Sequence, residues 1–115
     1  MGVKDLKGKQ FEYILPYGAG KVQAFIAEID PNKGLTMHVL DKEGILESNY
    51  CNKDGEIFCI NFNRPHRGDI ELDKKAFNLI AKTLQEGDIF DRDAFYTKMG
   101  LGLCSTTFMI PCAFK

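Results

Sequence analysis

Turn signals recur about every ten residues through the first half of this chain. Between them the apolar residues alternate instead of returning every third or fourth position. Gly18-Ala19-Gly20, Asp30-Pro31-Asn32-Lys33-Gly34, Asp41-Lys42-Glu43-Gly44 and Asn52-Lys53-Asp54-Gly55 are the punctuation. Pro presets one turn dihedral and Gly supplies positive φ at a turn's end, so each cluster reverses the chain. Segments this short leave no room for stable helices and suit hairpin-linked strands. Phe11, Tyr13, Leu15 and Tyr17 share one parity and predict a half-buried first strand. Lys21 to Asp30 is apolar on both parities, as expected of a strand covered on both faces or bent across a small barrel. Leu35, Met37 and Val39 define a third strand over Leu35 to Leu40. Ile45 to Cys51 and Glu56 to Phe62 complete an antiparallel meander of about five strands.

The period then changes. Phe77, Ile80, Ala81 and Leu84 fall at i, i+3, i+4 and i+7, one apolar stripe of a helix. Asp73 is placed to cap it and Gly87 to end it. Asp91 predicts the cap of a short second helix closed by Gly100, with Phe90 and Phe95 at the two positions of a hydrophobic staple. Leu103 to Phe114 reads as a final strand, with Pro111 marking an edge or a bulge. The expected class is α+β in a single domain, 1–115: an antiparallel β-meander forming a curved sheet or small barrel, two short C-terminal helices and a final strand. The turn-strand-turn run from Gly20 to Gly44 resembles the bent strand pairs of SH3-like or Sm-like barrels. That resemblance covers about a quarter of the chain and implies architecture alone.

Composition narrows the functional classes. The formal net charge is −1, with acids and bases interleaved, whereas a nucleic-acid polymer binder carries a basic excess or stripe. No apolar run approaches the roughly 20 residues of a membrane-spanning helix. Met1 to Gln10 is polar and lysine-rich without the apolar core of a signal peptide, so a cytoplasmic, soluble protein is expected. Cys51, Cys59, Cys104 and Cys112 form two pairs with the same eight-residue separation. Neither pair is a CxxC, and without an export signal reduced thiols are expected instead of a disulfide framework. Cysteine here reads as a small hydrophobe, Cys59 and Cys104 lying in apolar runs. Neither a metal nor a cofactor is expected, because zinc sites draw ligands from tight knuckles that the spacing does not supply.

The densest chemistry is Asn61-Phe62-Asn63-Arg64-Pro65-His66-Arg67-Gly68-Asp69, which holds two of the chain's three arginines. The third is Arg92. Arginine's planar fork of donors suits phosphate and carboxylate. The candidate binding set is therefore Arg64, His66, Arg67 and Arg92 on an anionic group, with Asn61 or Asn63 bonding a neighbouring ring or ribose. Tyr17 is an aromatic that could stack on the ring. The plain counter-reading is a solvated connection whose arginines pair with Asp69, Glu71 or Asp73. His66 is the one candidate base for a hydrolase, but no GxSxG, HExxH or Walker loop accompanies it, and the expectation is no enzyme. The sequence thus points to a non-catalytic protein binding an anionic, nucleotide-derived small ligand. Such a protein would suit a phage or mobile-element factor that sequesters a signalling nucleotide. The alternative is a homo-oligomeric interaction module working through an exposed edge at Phe108 to Ile110. Homo-oligomerisation is expected under either reading.

Overall fold

The computed structural model describes residues 2–15, 18, 20–40, 51–52, 55–65 and 68–101, with the backbone alone at 51–52 and 55–57. A short 3-10 turn, Val3–Leu6, precedes β1 (Gln10–Ile14), β2 (Lys21–Asp30), β3 (Gly34–Val39), β4 (Cys51–Asn52) and β5 (Gly55–Asn61). Then come α1 (Ile70–Glu86), β6 (Ile89–Asp91) and α2 (Arg92–Lys98). The fold is α+β, with a curved sheet partnered by two helices.

The strands form one sheet in the order β4-β5-β3-β2-β1-β6. β1, β2 and β3 run as an antiparallel meander through the two predicted turns. Beyond them the order jumps: β5 pairs directly with β3, and the two-residue β4 pairs with the far side of β5. The expected strand over Ile45 to Cys51 lies outside the described residues except for Cys51. At the other edge β6 joins β1 in parallel, Tyr13 opposite Phe90, so the sheet is mixed. A three-residue strand between two helices carries no alternation, and the sequence offered nothing to find it by.

One face of the sheet supplies the core. Phe11 and Tyr13 of β1, Val22, Ala24 and Ile26 of β2, Leu35, Met37 and Val39 of β3, and Phe58 and Ile60 of β5 are all buried. Cross-strand register places them on that same face, with Phe11 opposite Ala24, Ala24 opposite Val39, and Met37 opposite Phe58. The both-parity pattern of Lys21 to Asp30 has a local cause. The β2–β3 pairing skips Ala27, with Ile26 opposite Met37 and Glu28 opposite Thr36. This bulge moves the inward parity from Ala24 and Ile26 to Ile29 and bends the strand. The resulting curl is strong. Phe58 on β5 and Phe90 on β6 stand four strands apart, about 19 Å in a flat sheet. Their ring centroids are nonetheless 6.0 Å from each other.

α1 presents the predicted stripe, Phe77, Ile80, Ala81 and Leu84, all buried in the same core. Its start differs from expectation. Asp69 is the N-cap, its carboxylate accepting from the Leu72 amide at 3.0 Å, which makes the helix 17 residues long. Asp73 lies one turn inside, fully buried at 0% exposure. Both aspartates precede the stripe, and the one following Gly68, a position of positive φ (73°), holds the extended cap geometry. Gly87 is the C-cap, as predicted, and Lys9 Nζ donates to the carbonyls of Leu84 and Gly87 there. α2 begins as predicted: Asp91 accepts from the Ala94 amide at 3.1 Å, and the Phe90 and Phe95 rings meet at 5.2 Å. It ends with Gly100 at φ 79°, whose amide bonds Thr97 while Leu101 bonds back to Tyr96, a Schellman closure. No described helix is long and apolar enough to cross a membrane. The predicted final strand, Leu103 to Phe114, lies outside the described residues, as does the edge at Phe108 to Ile110.

Candidate functional site

Three segments meet at the end of the sheet where β2 turns into β3 and β5 runs out. Register ties them together, with Asp30 opposite Gly34 and Gly34 opposite Asn61. The β2–β3 turn is held by Asp30, whose carboxylate accepts from the Asn32 amide at 2.8 Å and whose carbonyl accepts from Lys33. Lys33 in turn accepts at its carbonyl from the Phe62 amide at 3.0 Å, which fastens this turn to the segment that follows β5. At Gly34 the backbone of β5 leaves no room for a side chain: a Cβ there would stand 1.9 Å from the Ile60 carbonyl oxygen, and its φ of 121° disfavours any L side chain.

The segment after β5 is an ordered turn. Asn61 Oδ1 accepts from the amides of Asn63 (2.8 Å) and Arg64 (3.3 Å), and its carbonyl also accepts from Arg64. Phe62 packs edge-on against Phe77 of α1 at 5.4 Å, pinning the turn to the core. The side chains of Asn63 and Arg64 are left at the surface. Beyond them the Gly68 amide bonds the Pro65 carbonyl, and Asp69 starts α1.

Between these segments lies a groove of about 360 Å³. Glu28, Asp30, Lys33, Thr36, Cys59, Asn61 and Asn63 provide its polar wall, with Gly34, Leu35, Ile29 and Ile60 beneath. The volume is at the lower end of the roughly 300–1,000 Å³ typical of small-molecule sites. Both carboxylates already have partners: Asp30 in its own turn, Glu28 with Lys7 at 3.6 Å across an exposed ion pair. Lys33 and the amide nitrogens of Asn61 and Asn63 are the groove's donors. Thr36 Oγ1 lies 3.4 Å from Cys59 Sγ.

Cys59 is disulfide-bonded, and the partner side chain lies outside the described residues. This corrects the expectation of reduced, purely packing cysteines. Period two also places Cys59 differently from a core residue. Phe58 and Ile60 point inward, so Cys59 faces the outer side of the sheet opposite Thr36. A disulfide sulfur carries no hydrogen, so the threonine hydroxyl is the donor in this contact.

The predicted binding residues divide. Asn61 and Asn63 line the groove, and Arg64 rises from the same turn. His66, Arg67 and Tyr17 lie outside the described residues. Arg92 is elsewhere. It follows Asp91, which pairs with Ile14, itself opposite Lys21, so it stands at the far end of β2 from Asp30 and Asn61. It is buried (5% exposed), its guanidinium 4.3 Å over the Tyr96 ring and 3.5 Å from Asp93. Of the groove's other polar residues, Lys33 and Asp30 were visible in the sequence only as a turn. Thr36 and Cys59 were legible only through the parity of β3 and β5, and Glu28 only once the bulge at Ala27 is known. Among the described residues, no three His, Cys, Asp or Glu side chains gather as ligands to a metal would. His38 lies on the outer face with its ring 5.2 Å from Phe25. No family model matches the chain, and no curated protein or solved structure shows significant similarity to it.

Proposed function

We propose that this groove binds a compact anionic ligand, with a nucleotide or nucleotide-derived molecule as the leading class, and that the protein acts by binding and not by catalysis. The observation that carries the reading is the convergence of Asn61 and Asn63 with Lys33 on one groove, beside the turn that projects Arg64. Lys33 and Arg64 supply charge for a phosphate, as a point charge and a planar fork respectively. The asparagine amides donate to ring or ribose oxygens. Asp30 and Glu28 oppose a bare polyanion but accept well from ribose hydroxyls, which favours a nucleotide over inorganic phosphate. The non-catalytic part of the proposal rests on the hydroxyl of Thr36, which is engaged with sulfur, and on Cys59, which as a disulfide is no nucleophile.

The test is thermal stabilisation across mono-, di- and cyclic nucleotides, with phosphate alone as a comparison. A ligand present at a hundredfold its Kd adds about 2.7 kcal/mol by mass action, a rise of roughly ten degrees in a domain this size. Arg64→Ala and Lys33→Ala remove that rise while leaving the unliganded Tm within about two degrees, since both are exposed. A flat response to the whole panel at millimolar concentration refutes the reading.

A further inference from the structure

β6 ends the sheet, and its outer side carries backbone groups with no strand to receive them among the described residues. It pairs in parallel with β1, where the Glu12 amide donates to the Asp88 carbonyl at 2.9 Å. In a parallel ladder alternate residues bond the neighbour, so Asp88 and Phe90 turn their backbone groups toward β1. Ile89 therefore points its amide and carbonyl away from β1, and Asp91 its amide. The Ile89 side chain adds apolar surface at the same edge. It is 50% exposed, the most open of the three large apolar side chains exposed among the described residues, the others being Ile70 (44%) and Leu40 (41%). Against this strand lies a cleft of about 150 Å³, walled by Leu79 and Thr83 of α1 and by Ala94, Phe95 and Lys98 of α2.

An open edge with apolar surface is a template for a further strand, and the surrounding charges say which one. Glu86 and Asp88 are exposed where α1 passes into β6, while Lys82 and Lys98 are exposed on the two helices. The Asp91 carboxylate is committed to the α2 cap. Two acids and two bases leave the rim balanced. A balanced patch can meet itself across a twofold axis without the repulsion that a rim of one sign would impose. We propose that β6 is a dimer edge, to which a second copy of this chain adds its own β6, antiparallel about Phe90. Ile89 of each copy then lies opposite Asp91 of the other, and each Asp91 amide donates to the facing Ile89 carbonyl. The two isoleucines meet diagonally across the pair, about 7–8 Å apart between backbones. None of this rests on the nucleotide reading, whose groove includes neither β6 nor α2.

The test is sedimentation velocity on the whole protein without ligand, from about 1 μM to 1 mM, where the mass is expected to rise from one chain to two. Ile89→Lys places a charge on the edge and should weaken association by about tenfold or more. Ile70→Lys and Leu40→Lys make the same change at the other two exposed apolar side chains and should leave the dimer intact. Amide exchange followed by NMR gives a second reading on the native chain, and decides alone should Ile89→Lys not fold. The Ile89 and Asp91 amides are expected to exchange about tenfold or more slowly at the dimeric concentration than at the monomeric one. A protein monomeric at the top of the range overturns the proposal, whether its edge stays bare or the Ile89 amide is protected at every concentration by its own chain. A dimer that survives Ile89→Lys, or that is lost with Ile70→Lys or Leu40→Lys, overturns it as well.

Discussion

Replacing Gly34 by alanine probes the joint on which the groove is built. Two separate penalties apply. Its φ of 121° lies where a side chain is strained, a cost of about 1–2 kcal/mol at least. The added Cβ would also meet the Ile60 carbonyl oxygen at 1.9 Å and its carbon at 2.8 Å, both backbone atoms that no rotamer change can move. Ordinary contact begins near 3.4 Å, so β3 and β5 must part locally by about 1.5 Å. That displacement stretches the ladder at Gly34–Asn61 and Leu35–Ile60, where one or two hydrogen bonds at about 1 kcal/mol each are forfeited. The sum is about 2–4 kcal/mol, a large part of the 5–15 kcal/mol by which such domains are stable. Gly100→Ala is the matched control. It too has positive φ (79°), but nothing lies within 4 Å of its Cβ, so only the dihedral penalty of about 1–2 kcal/mol applies. Urea unfolding followed by far-ultraviolet circular dichroism should separate the two variants by about 1–2 kcal/mol, the hydrogen-bond loss that Gly34→Ala alone incurs. Equal midpoints would refute the β3–β5 register that brings Asn61 to the β2–β3 turn.

Lys9→Met keeps the aliphatic stem but deletes the ammonium that donates to Leu84 and Gly87 at the end of α1. With no basic residue in the helix's own last turn, the loss should cost about 1–2 kcal/mol, read as a lower urea midpoint with unchanged slope. Phe58→Ala empties the place where a β5 ring meets Phe90 and Phe95, each at 6.0 Å. A loss of about 3–5 kcal/mol is expected by thermal melting, against less than about 1.5 kcal/mol for Phe58→Met. If the two variants melt together, Phe58 does not bridge the ends of the curled sheet.

What the sequence disclosed of the fold is what short windows encode. Asp30-Pro31-Asn32-Lys33-Gly34 specified its turn because Asp30 closes it through the Asn32 amide and Gly34 takes the positive φ. The alternation of Leu35, Met37 and Val39 marked a buried face, and the stripe from Phe77 to Leu84 marked a helix, because each period is written in contiguous residues. Asp91 with Phe90 and Phe95 specified a helix start for the same reason. The failures share a different property. That β5 skips past β4 to pair with β3, and that β6 runs parallel to β1, are choices among distant partners, on which local periodicity is silent. The cap of α1 was misplaced because Asp69 and Asp73 both satisfy the local rule; the burial of Asp73 decides between them, and burial is a tertiary quantity.

The site divides along the same line, and this explains which half of the arginine reading is sharpened. Asn61, Asn63 and Arg64 form a local unit: one carboxamide oxygen organises two amides, so the turn is set by its own residues. What faces that turn is not local. Lys33 arrives from 28 residues earlier because Gly34 and Asn61 are paired, Cys59 faces Thr36 because β3 and β5 pair in the same unbroken register, and Glu28 faces outward because the bulge at Ala27 resets the parity of β2 against β3. Arg92, grouped with the loop by residue type alone, is carried by β6 to the other end of the sheet and stacked on Tyr96. Arginine content therefore identified the turn but not its surroundings. The donors that complete the groove come from a lysine and two asparagines, brought together by strand register and not by the clustering of arginine in the sequence.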